Sequence, residues 1–211
     1  MFTGIISDVG RLVARNGTRF RIESRYDPAG LIEGASIACD GCCLTLARLS
    51  EGAGPGAVFE MDVSNETSAR TTLGAWTEGT RINLERSLSF GSELGGHLVT
   101  GHIDGLARIT ERRSDGESVR FVLEAAAELA HLIAAKGSIA LNGVSLTVNE
   151  VEGASFGVNV IPYTLAHTTW GDRKPGDLVN LEVDLLARYV ERIASGRVAS
   201  GRDEPRQDHC P

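Results

Sequence analysis

The sequence lacks an excess of positive charge and any long apolar run. Its 211 residues include 21 Lys and Arg against 28 Asp and Glu, so the formal net charge is −7. Such a chain offers no basic surface to a nucleic acid or to an anionic membrane. No apolar segment approaches the ~18–20 residues that a membrane-spanning helix needs, and the first residues lack the charged flank and longer apolar core of a signal peptide. We therefore expect a cytoplasmic protein that binds neither nucleic acid nor membrane.

Several motifs of common enzyme classes are also missing. The sequence contains no Walker loop, no G-x-G-x-x-G, no H-E-x-x-H and no G-x-S-x-G. Nucleotide hydrolysis, a dinucleotide cofactor and zinc proteolysis are therefore unsupported. What is present is an ordinary globular composition of 42% hydrophobic and 23% charged residues. This is enough apolar side chain to build a core.

Cysteine is scarce, and three of the four cysteines lie in one short segment. They are Cys39, Cys42 and Cys43, whereas Cys210 lies near the end of the chain. In a cytoplasmic protein such residues are more often free thiols than disulfides. The spacing of Cys39 and Cys42 is also that of a zinc site or a redox pair. A comparison within the sequence decides between these interpretations.

The two halves of the sequence resemble each other in several blocks that keep the same order. FTGII matches VTGHI, GASIACDGCCLTL matches KGSIALNGVSLTV, and GTRINLE matches GDLVNLE. The shift between copies is constant except in the middle block, whose second copy follows a longer insert. A register kept over separated blocks indicates a duplicated folding unit. We expect a first unit over 1–97 and a second over 98–184.

The pattern inside each unit predicts an all-β fold. Short alternating or apolar runs such as SIAC, LTLARL and RINLE are separated by Gly, Asp, Asn and Pro, which is typical of a barrel or a sandwich. The insert at 124–137 has Ala, Leu and Ile at helical spacing and predicts one short helix.

After the second unit the pattern becomes that of an amphipathic helix. We expect this helix over 185–196, with Asp184 as its N-cap and an apolar stripe of Leu185, Leu186, Tyr189, Val190 and Ile193. A helix this short is marginal alone in water, so its stripe must be covered. It either packs on its own barrels or forms an oligomer contact. The polar residues 197–211 predict a flexible tail.

Aligning the two copies separates the cysteines. Cys39 matches Leu141 and Cys42 matches Val144, so we expect both to be small buried hydrophobes rather than metal ligands. Cys43 matches Ser145, so this position is polar in both copies. Each lies two residues before a threonine, Thr45 or Thr147. Cys43 therefore either presents its thiol to a site or is a buried thiol without a role.

The histidines differ between the copies too. His97 and His102 flank the segment LVTG, and His102 matches Ile5 in the first copy. Imidazole is the usual acid or base near neutral pH. A position that is apolar in one copy and titratable in the other indicates that the halves have divided their labour. His97 has two open interpretations, a loop histidine or a site residue.

Taken together, these segments resemble the riboflavin synthase family of the lumazine-dismutating type. The resemblance rests on MFTGI, the pair DGCCLT and NGVSLT, GGHLVTGHI, NETSARTT, IPYTLAHTT and the C-terminal helix, and it extends from residue 1 to about 193. Two positions depart from what the resemblance leads us to expect. Asp40 stands where asparagine is more usual, and Tyr163 stands where glutamate is common.

The resemblance implies two similar six-stranded Greek-key β-barrels and a homotrimer formed through the C-terminal helices. The site would lie between the N-terminal barrel of one subunit and the C-terminal barrel of its neighbour. There two molecules of 6,7-dimethyl-8-ribityllumazine would yield riboflavin and 5-amino-6-ribitylamino-2,4(1H,3H)-pyrimidinedione without a cofactor or a metal. Association with lumazine synthase is left open. The alternative is a non-catalytic lumazine or flavin carrier, which the presence of both pocket motifs disfavours.

The resemblance also implies site residues. The positions associated with turnover are Phe2, Cys43, His102, Ser145, Thr147 and Asp184. The first-barrel pocket would use Gly4, Ile5, Ile6, Ser36, Cys43, Leu44, Thr45, Asp62, Val63, Ser64, Asn65, Glu66 and Thr67. The second-barrel pocket would use Gly101, His102, Ile103, Lys136, Ser145, Leu146, Thr147, Asn159, Val160, Ile161, Pro162, Tyr163 and Thr164. We expect Phe2 to order the pocket mouth, His102 and Thr147 to relay protons, and Cys43 and Ser145 to hydrogen-bond near the ring or activate water.

Overall fold

Two closed six-stranded antiparallel β-barrels follow one another along the chain, with a helix after the second. The computed structural model describes residues 1–51 and 56–199. The all-β prediction and the expected pair of similar barrels are confirmed. No helix within the described ranges is long and apolar enough to cross a membrane.

The first barrel contains strands in the order β1-β2-β5-β4-β3-β6. Their bounds are β1 Asp8–Asn16, β2 Arg19–Glu23, β3 Ser36–Cys39, β4 Cys42–Glu51, β5 Ala57–Asp62 and β6 Arg81–Arg86. Alternation of apolar and polar residues explains the strands, as in β2, where Phe20 and Ile22 are buried and their neighbours are exposed. Helix α1 (Asn65–Arg70) and two 3₁₀ turns, Pro28–Gly30 and Thr72–Ala75, complete this half.

The second barrel repeats this order in its own strands, as β7-β8-β11-β10-β9-β12. The bounds are β7 Gly105–Asp115, β8 Ser118–Glu124, β9 Ser138–Leu141, β10 Val144–Glu152, β11 Ser155–Val160 and β12 Leu178–Val183. Helix α2 (Pro162–His167) and the 3₁₀ turn Thr169–Asp172 match α1 and the 3₁₀ turn that follows it.

Each barrel has its own hydrophobic core. Phe20 and Phe59 fill the first core, and Phe121 packs edge-on against Trp170 in the second. Cys39 and Cys42 belong to the first core, as the alignment with Leu141 and Val144 predicts. Burial raises the pKa of the Cys39 thiol well above its usual range and that of Cys42 to about 12. Both thiols are therefore neutral and act as small apolar groups.

The helical predictions differ from the structure in detail. The insert at 124–137 contains a 3₁₀ helix, Ala127–Leu132, which is shorter than the predicted element. Its N-cap, Ala126, makes no side-chain capping bond, and Ala125 and Gly137 on either side are already tied by backbone bonds to Ala154 and Ala134. An N-terminus without a capping side chain is less stable, which agrees with a short 3₁₀ segment in place of an α-helix.

The C-terminal helix α3 spans Leu185–Ala199 and runs past the predicted end at 196. The Asp184 carboxylate accepts the Leu186 N–H at 2.9 Å, as predicted for an N-cap. The side chains of Leu186, Tyr189, Val190 and Ile193 are each more than half exposed, so the chain itself leaves most of the apolar stripe uncovered. The rest of the predicted tail, 200–211, lies outside the described residues.

Candidate active site

The repeated motif forms a tight turn in each barrel, and the two turns touch. Asp40 and Gly41 join β3 to β4, and Asn142 and Gly143 join β9 to β10, all with positive φ. Two-residue hairpins of this kind favour Asp-Gly and Asn-Gly. A Cβ atom on Gly41 would lie 2.7 Å from the backbone N of Gly143, and the reverse distance is also 2.7 Å. Glycine is therefore required where the barrels meet.

Two extended segments cross at this junction, 2–5 from the N-terminus and 99–102 from the second copy. The Phe2 N–H donates to Val99 O at 2.7 Å, and the Val99 N–H donates to Phe2 O at 3.1 Å. Beyond this bridge, the Ser145 N–H donates to Gly4 O, and the Cys43 N–H donates to Gly101 O, both at 2.8 Å. Each segment therefore lies on the barrel built by the other half of the chain.

A buried glutamate holds each crossing segment. Glu85, at the end of β6, accepts the Thr3 N–H and hydroxyl at 2.7 Å and the Gly4 N–H at 2.9 Å. In the second half, Glu182 makes the same three contacts with the matching pair at 2.6 to 2.8 Å. Burial raises the pKa of Glu85, although these hydrogen bonds oppose the shift. The sequence motifs did not identify either glutamate as a site residue, although each is the last residue of the repeated motif N-L-E.

This exchange bears on the predicted division of residues between the pockets. Ile6 packs against the core of the second barrel, and Ile103 packs against the core of the first. The packing therefore favours the reverse of the predicted division, with 4–6 beside the second barrel and 101–103 beside the first. The alignment matches the two segments correctly, but it contains no information that they change places in space.

In the middle of β4 and β10, the predicted residues lie alternately on the core-facing side and on the outer side of the barrel. Leu44 and Leu146 point into the cores, whereas the neighbouring side chains are partly or fully exposed. The exposed face of the first barrel carries Cys43 and Thr45, with Ser36 paired to Thr45 in register. Ser145, Thr147 and Ser138 form the same arrangement in the second barrel. Val63 and Val160 are also core residues, so their side chains are not available to a ligand.

The segments 62–67 and 159–164 occupy matching places at the starts of α1 and α2. Asp62 accepts two hydrogen bonds from Arg19, whose guanidinium lowers the pKa of that carboxyl. Ser64 caps α1 by accepting the Thr67 N–H at 3.0 Å. The matching segment begins with Asn159, whose amide donates to Asp115. Polar groups therefore line the same position in both barrels, next to the exposed faces of β4 and β10.

Phe2 lies elsewhere than predicted. It is fully buried in a small cluster with Ala38, Val99 and Ala140, and Cys43 packs against this cluster. The cluster joins the two barrels, so Phe2 supports the crossing segments and Cys43 from inside rather than ordering a pocket mouth.

His102 and Thr147, the predicted proton relay, are both exposed. His102 lines a cavity of about 290 Å³ beside Arg188, which donates to its carbonyl oxygen at 3.3 Å. Within the described part of the chain, no hydrogen bond joins His102 to Thr147. Lys136 is exposed as well, and its backbone N–H donates to Val148 O. A single chain therefore does not assemble the relay.

His97, whose role the sequence leaves open, contacts a predicted site residue directly. Its Nδ1 lies 2.7 Å from Ser145 Oγ, and the residue is only 9% exposed. Burial lowers the pKa of the imidazole, and the charge of Asp184 partly opposes this shift. At neutral pH the ring is uncharged. The signal available in the sequence was the glycine-rich setting of His97, and this does not identify its partner.

A family model described as lumazine binding domain matches the chain twice, at 3–87 and 100–184. A riboflavin synthase from Brucella abortus is 51% identical over 198 residues, which cover 92% of this chain and 98% of the relative. A riboflavin synthase from Photobacterium phosphoreum is 37% identical and covers 92% and 88%.

Solved structures of LumP have the same fold. The complex with 6,7-dimethyl-8-(1'-D-ribityl)lumazine has a TM-score of 0.72 at 23% identity and covers 87% of this chain and 99% of that chain. The complex with riboflavin has a TM-score of 0.73 at 26% identity with the same coverage.

Proposed function

This chain belongs to the lumazine-binding domain family, and we propose that it catalyses the riboflavin synthase reaction. In this reaction one molecule of 6,7-dimethyl-8-ribityllumazine gives a four-carbon unit to a second, forming riboflavin and 5-amino-6-ribitylamino-2,4(1H,3H)-pyrimidinedione. The observation that carries the proposal is the 51% identity with a riboflavin synthase over nearly the whole chain. The duplication of the domain agrees with a reaction between two identical molecules.

The chemistry explains why two related but unequal barrels are useful. The C7 methyl group of the lumazine is acidic, because its carbanion is delocalised into the ring system, so a modest base suffices. Holding two reactants in register can itself lower a barrier by ~7–11 kcal/mol. Related sites bind the same molecule, and their differences at Cys43 against Ser145 and at Ile5 against His102 allow one molecule to donate and the other to accept.

The competing function is a carrier that binds the lumazine without turnover. The decisive experiment mixes the purified chain with 6,7-dimethyl-8-ribityllumazine and follows riboflavin absorbance. We expect riboflavin to form at half the rate at which the lumazine disappears. Binding seen by fluorescence, without riboflavin, would instead identify a carrier. Heat-denatured protein is the control for uncatalysed conversion.

We propose that one site forms around Cys43, Thr45 and 62–67 with 101–103. The other forms around Ser145, Thr147 and 159–164 with 4–6. The exchange of the crossing segments supports this pairing, since Gly101 lies on Cys43 and Gly4 lies on Ser145.

The substitutions Cys43→Ala, Ser145→Ala and His102→Ala test this assignment. We expect each to lower turnover at least ~10-fold, in line with the loss of a positioned polar group. His131→Asn is the control, because His131 is exposed and lies outside both proposed sites. Turnover that is unchanged by a substitution would remove that residue from its site.

The oligomeric state is a further part of the proposal. A homotrimer that covers the stripe of α3 would bring the first site of one subunit to the second site of its neighbour. The exposed Leu186, Tyr189, Val190 and Ile193 support it, because a soluble chain rarely leaves such a row uncovered. We expect Tyr189→Asp to give monomers in analytical ultracentrifugation and to abolish turnover. If Tyr189→Asp still forms trimers and remains active, α3 is not the proposed trimer contact.

We also propose a cytoplasmic location and leave association with lumazine synthase as a binding experiment. Co-sedimentation of the two purified proteins would detect such a complex.

A further inference from the structure

The two proposed sites have matching backbone hydrogen bonds, but the side chains of Cys43 and Ser145 have different surroundings. The backbone N–H groups of Cys43 and Ser145 are held in the same way by the crossing segments, each at 2.8 Å. The Ser145 hydroxyl has an additional contact with His97 Nδ1 at 2.7 Å. Among the described residues, the Cys43 thiol has no such hydrogen bond.

We propose that His97 is a positioning residue of the second-barrel site, which fixes the Ser145 hydroxyl so that its oxygen lone pairs face the bound lumazine. This inference rests on the proposed function, because Ser145 must border the ligand for its orientation to matter. It concerns a residue that the resemblance does not include among the site positions.

The surroundings of His97 hold it in one place. Its backbone N–H donates to Thr3 O at 3.1 Å, which ties it to the N-terminal crossing segment. The preceding Gly96 is so close to β10 that an added Cβ would lie 2.9 Å from Ser145 Cβ and 3.0 Å from Ser145 Oγ. The His97 side chain is buried, so it has little freedom to move away from Ser145.

The protonation of the ring decides the direction of the hydrogen bond. Ser145, which contacts the ring from β10, and Thr3, which is bonded to the backbone of His97, are both uncharged. The charge that acts on the pKa of His97 is that of Asp184, just before α3. Desolvation outweighs that charge and keeps the ring neutral at pH 7.

A neutral ring with its proton on Nε2 accepts the Ser145 hydroxyl hydrogen at Nδ1, which leaves the lone pairs of Oγ free for the ligand. Protonation of the ring makes Nδ1 a donor, and the hydroxyl hydrogen then turns away. Nε2 is buried without a hydrogen-bond partner among the described residues, so no described protein group fixes the tautomer from that side of the ring.

Kinetics of four variants test the inference: His97→Ala, His97→Asn, Ser145→Ala and the double variant His97→Ala/Ser145→Ala. We expect His97→Ala to lower kcat ~10- to 100-fold with little change in KM, because a misdirected catalytic group costs rate rather than binding. Asparagine places an amide near the position of Nδ1 but does not titrate. His97→Asn should therefore keep most of the kcat at pH 7.5 and lose the fall in kcat that we expect of the wild type on acidification below pH ~6.5. In the Ser145→Ala background, His97→Ala should change kcat less than about twofold.

Two results would overturn the inference. One is an additive effect of His97→Ala and Ser145→Ala, since additivity means that His97 does not act through Ser145. The other is an unchanged acid limb in His97→Asn. His131→Asn is the matched control, because it removes an exposed imidazole outside the sites.

A readout that does not require activity separates this inference from the proposed function. Nitrogen NMR of the imidazole at pH 7 should show an unprotonated Nδ1 in the wild type and a mixture of tautomers in Ser145→Ala. The same tautomers in both proteins would exclude the positioning role, even if the chain forms no riboflavin. An inactive wild type with the expected NMR result would exclude the proposed function alone.

Discussion

At the turn between its third and fourth strands, the first barrel carries Asp40, whereas the second carries Asn142. Asp40 is almost fully buried and lies 3.9 Å from Arg173 of the other half. The alignment places Trp76 opposite Asn142, in the position of Arg173. The buried carboxylate of the first copy therefore has a cation nearby, whereas the alignment gives the buried amide of the second copy an apolar ring. This difference agrees with the high cost of a buried charge without a partner.

The network around these turns is otherwise the same in both directions. The Asn83 amide donates to Asn142 O at 3.0 Å, and the Asn180 amide donates to Asp40 O at 2.8 Å. The backbone N–H of Thr169 donates to the side-chain oxygen of Asn83, and that of Thr72 donates to the side-chain oxygen of Asn180. Backbone geometry has been kept where the barrels meet, and the chemical differences are confined to a few side chains.

The segments that leave the two barrels differ more. After β6 the chain crosses to the second barrel, whereas after β12 it forms α3. Arg188 of α3 forms an ion pair with Asp104 and donates to His102 O. The crossing segment that carries His102 is therefore tied to the helix. Ile5 is the match of His102 in the first copy. Within the described residues 87–104, no helix follows β6, so this segment offers Ile5 no equivalent of Arg188.

The largest effect is expected where the crossing segments touch the barrels. Gly101→Ala would place a methyl group 2.5 Å from Cys43 Cβ at a φ of +80°. Overpacking and left-handed backbone strain together should lower the free energy of unfolding by ~2–5 kcal/mol, as measured in urea. Gly17→Ala is the control, since its φ of +60° is similar and, apart from its chain neighbours, no described atom lies within 4 Å of an added Cβ. It should cost only ~1–2 kcal/mol. Equal losses would mean that the contact with Cys43 is unimportant.

A smaller effect is expected at Asp40. Burial raises the pKa of Asp40 to about 6 from an ordinary value of 3.8, and Arg173 only partly opposes this. Between these two values the folded chain binds more protons than the unfolded chain, so the contribution of Asp40 to stability falls as the pH rises through about 6. Asp40→Asn should therefore raise the free energy of unfolding at pH 8 by up to about 3 kcal/mol and leave it unchanged near pH 4.

The mirror substitution sharpens this test. Asn142→Asp places a carboxylate in the matching position, where the alignment offers Trp76 instead of an arginine. We expect it to destabilise the protein at pH 8 and to recover at pH 4, as measured by thermal unfolding at both pH values. If the stability of Asp40→Asn differs from that of the wild type by the same amount at every pH, the Asp40 carboxyl does not titrate between pH 4 and pH 8.

The smallest effect is expected on the surfaces of α1 and α2. Glu66 and Arg70 form an exposed ion pair at 3.2 Å, whereas Tyr163 stacks on His167 at 4.0 Å in the matching positions. Glu66→Gln should change the free energy of unfolding by less than about 0.5 kcal/mol, because exposed pairs of this kind contribute little. A loss above 1 kcal/mol would contradict this. If lumazine affinity, measured by fluorescence titration, changes more than stability, Glu66 contacts the ligand.

Several features could be predicted because they depend on local pattern. Alternation predicted the strands, and the match of Cys39 with Leu141 and of Cys42 with Val144 identified core residues without coordinates. The insert at 124–137 was predicted as a helix but forms a short 3₁₀ helix whose N-cap residue makes no side-chain capping bond. Helical spacing alone does not report whether such a cap forms.

The sequence by itself determined that the protein has two equivalent all-β units, which turns join their strands and which side chains fill their cores. Periodicity and repetition express these properties directly. Only the tertiary structure decided that the segments 2–5 and 99–102 exchange barrels, that Glu85 and Glu182 hold them, and that His97 contacts Ser145 while none of the described residues makes such a contact with the Cys43 thiol. These contacts join residues far apart in the chain, and their formation depends on how two closed barrels dock rather than on any local preference of the residues involved.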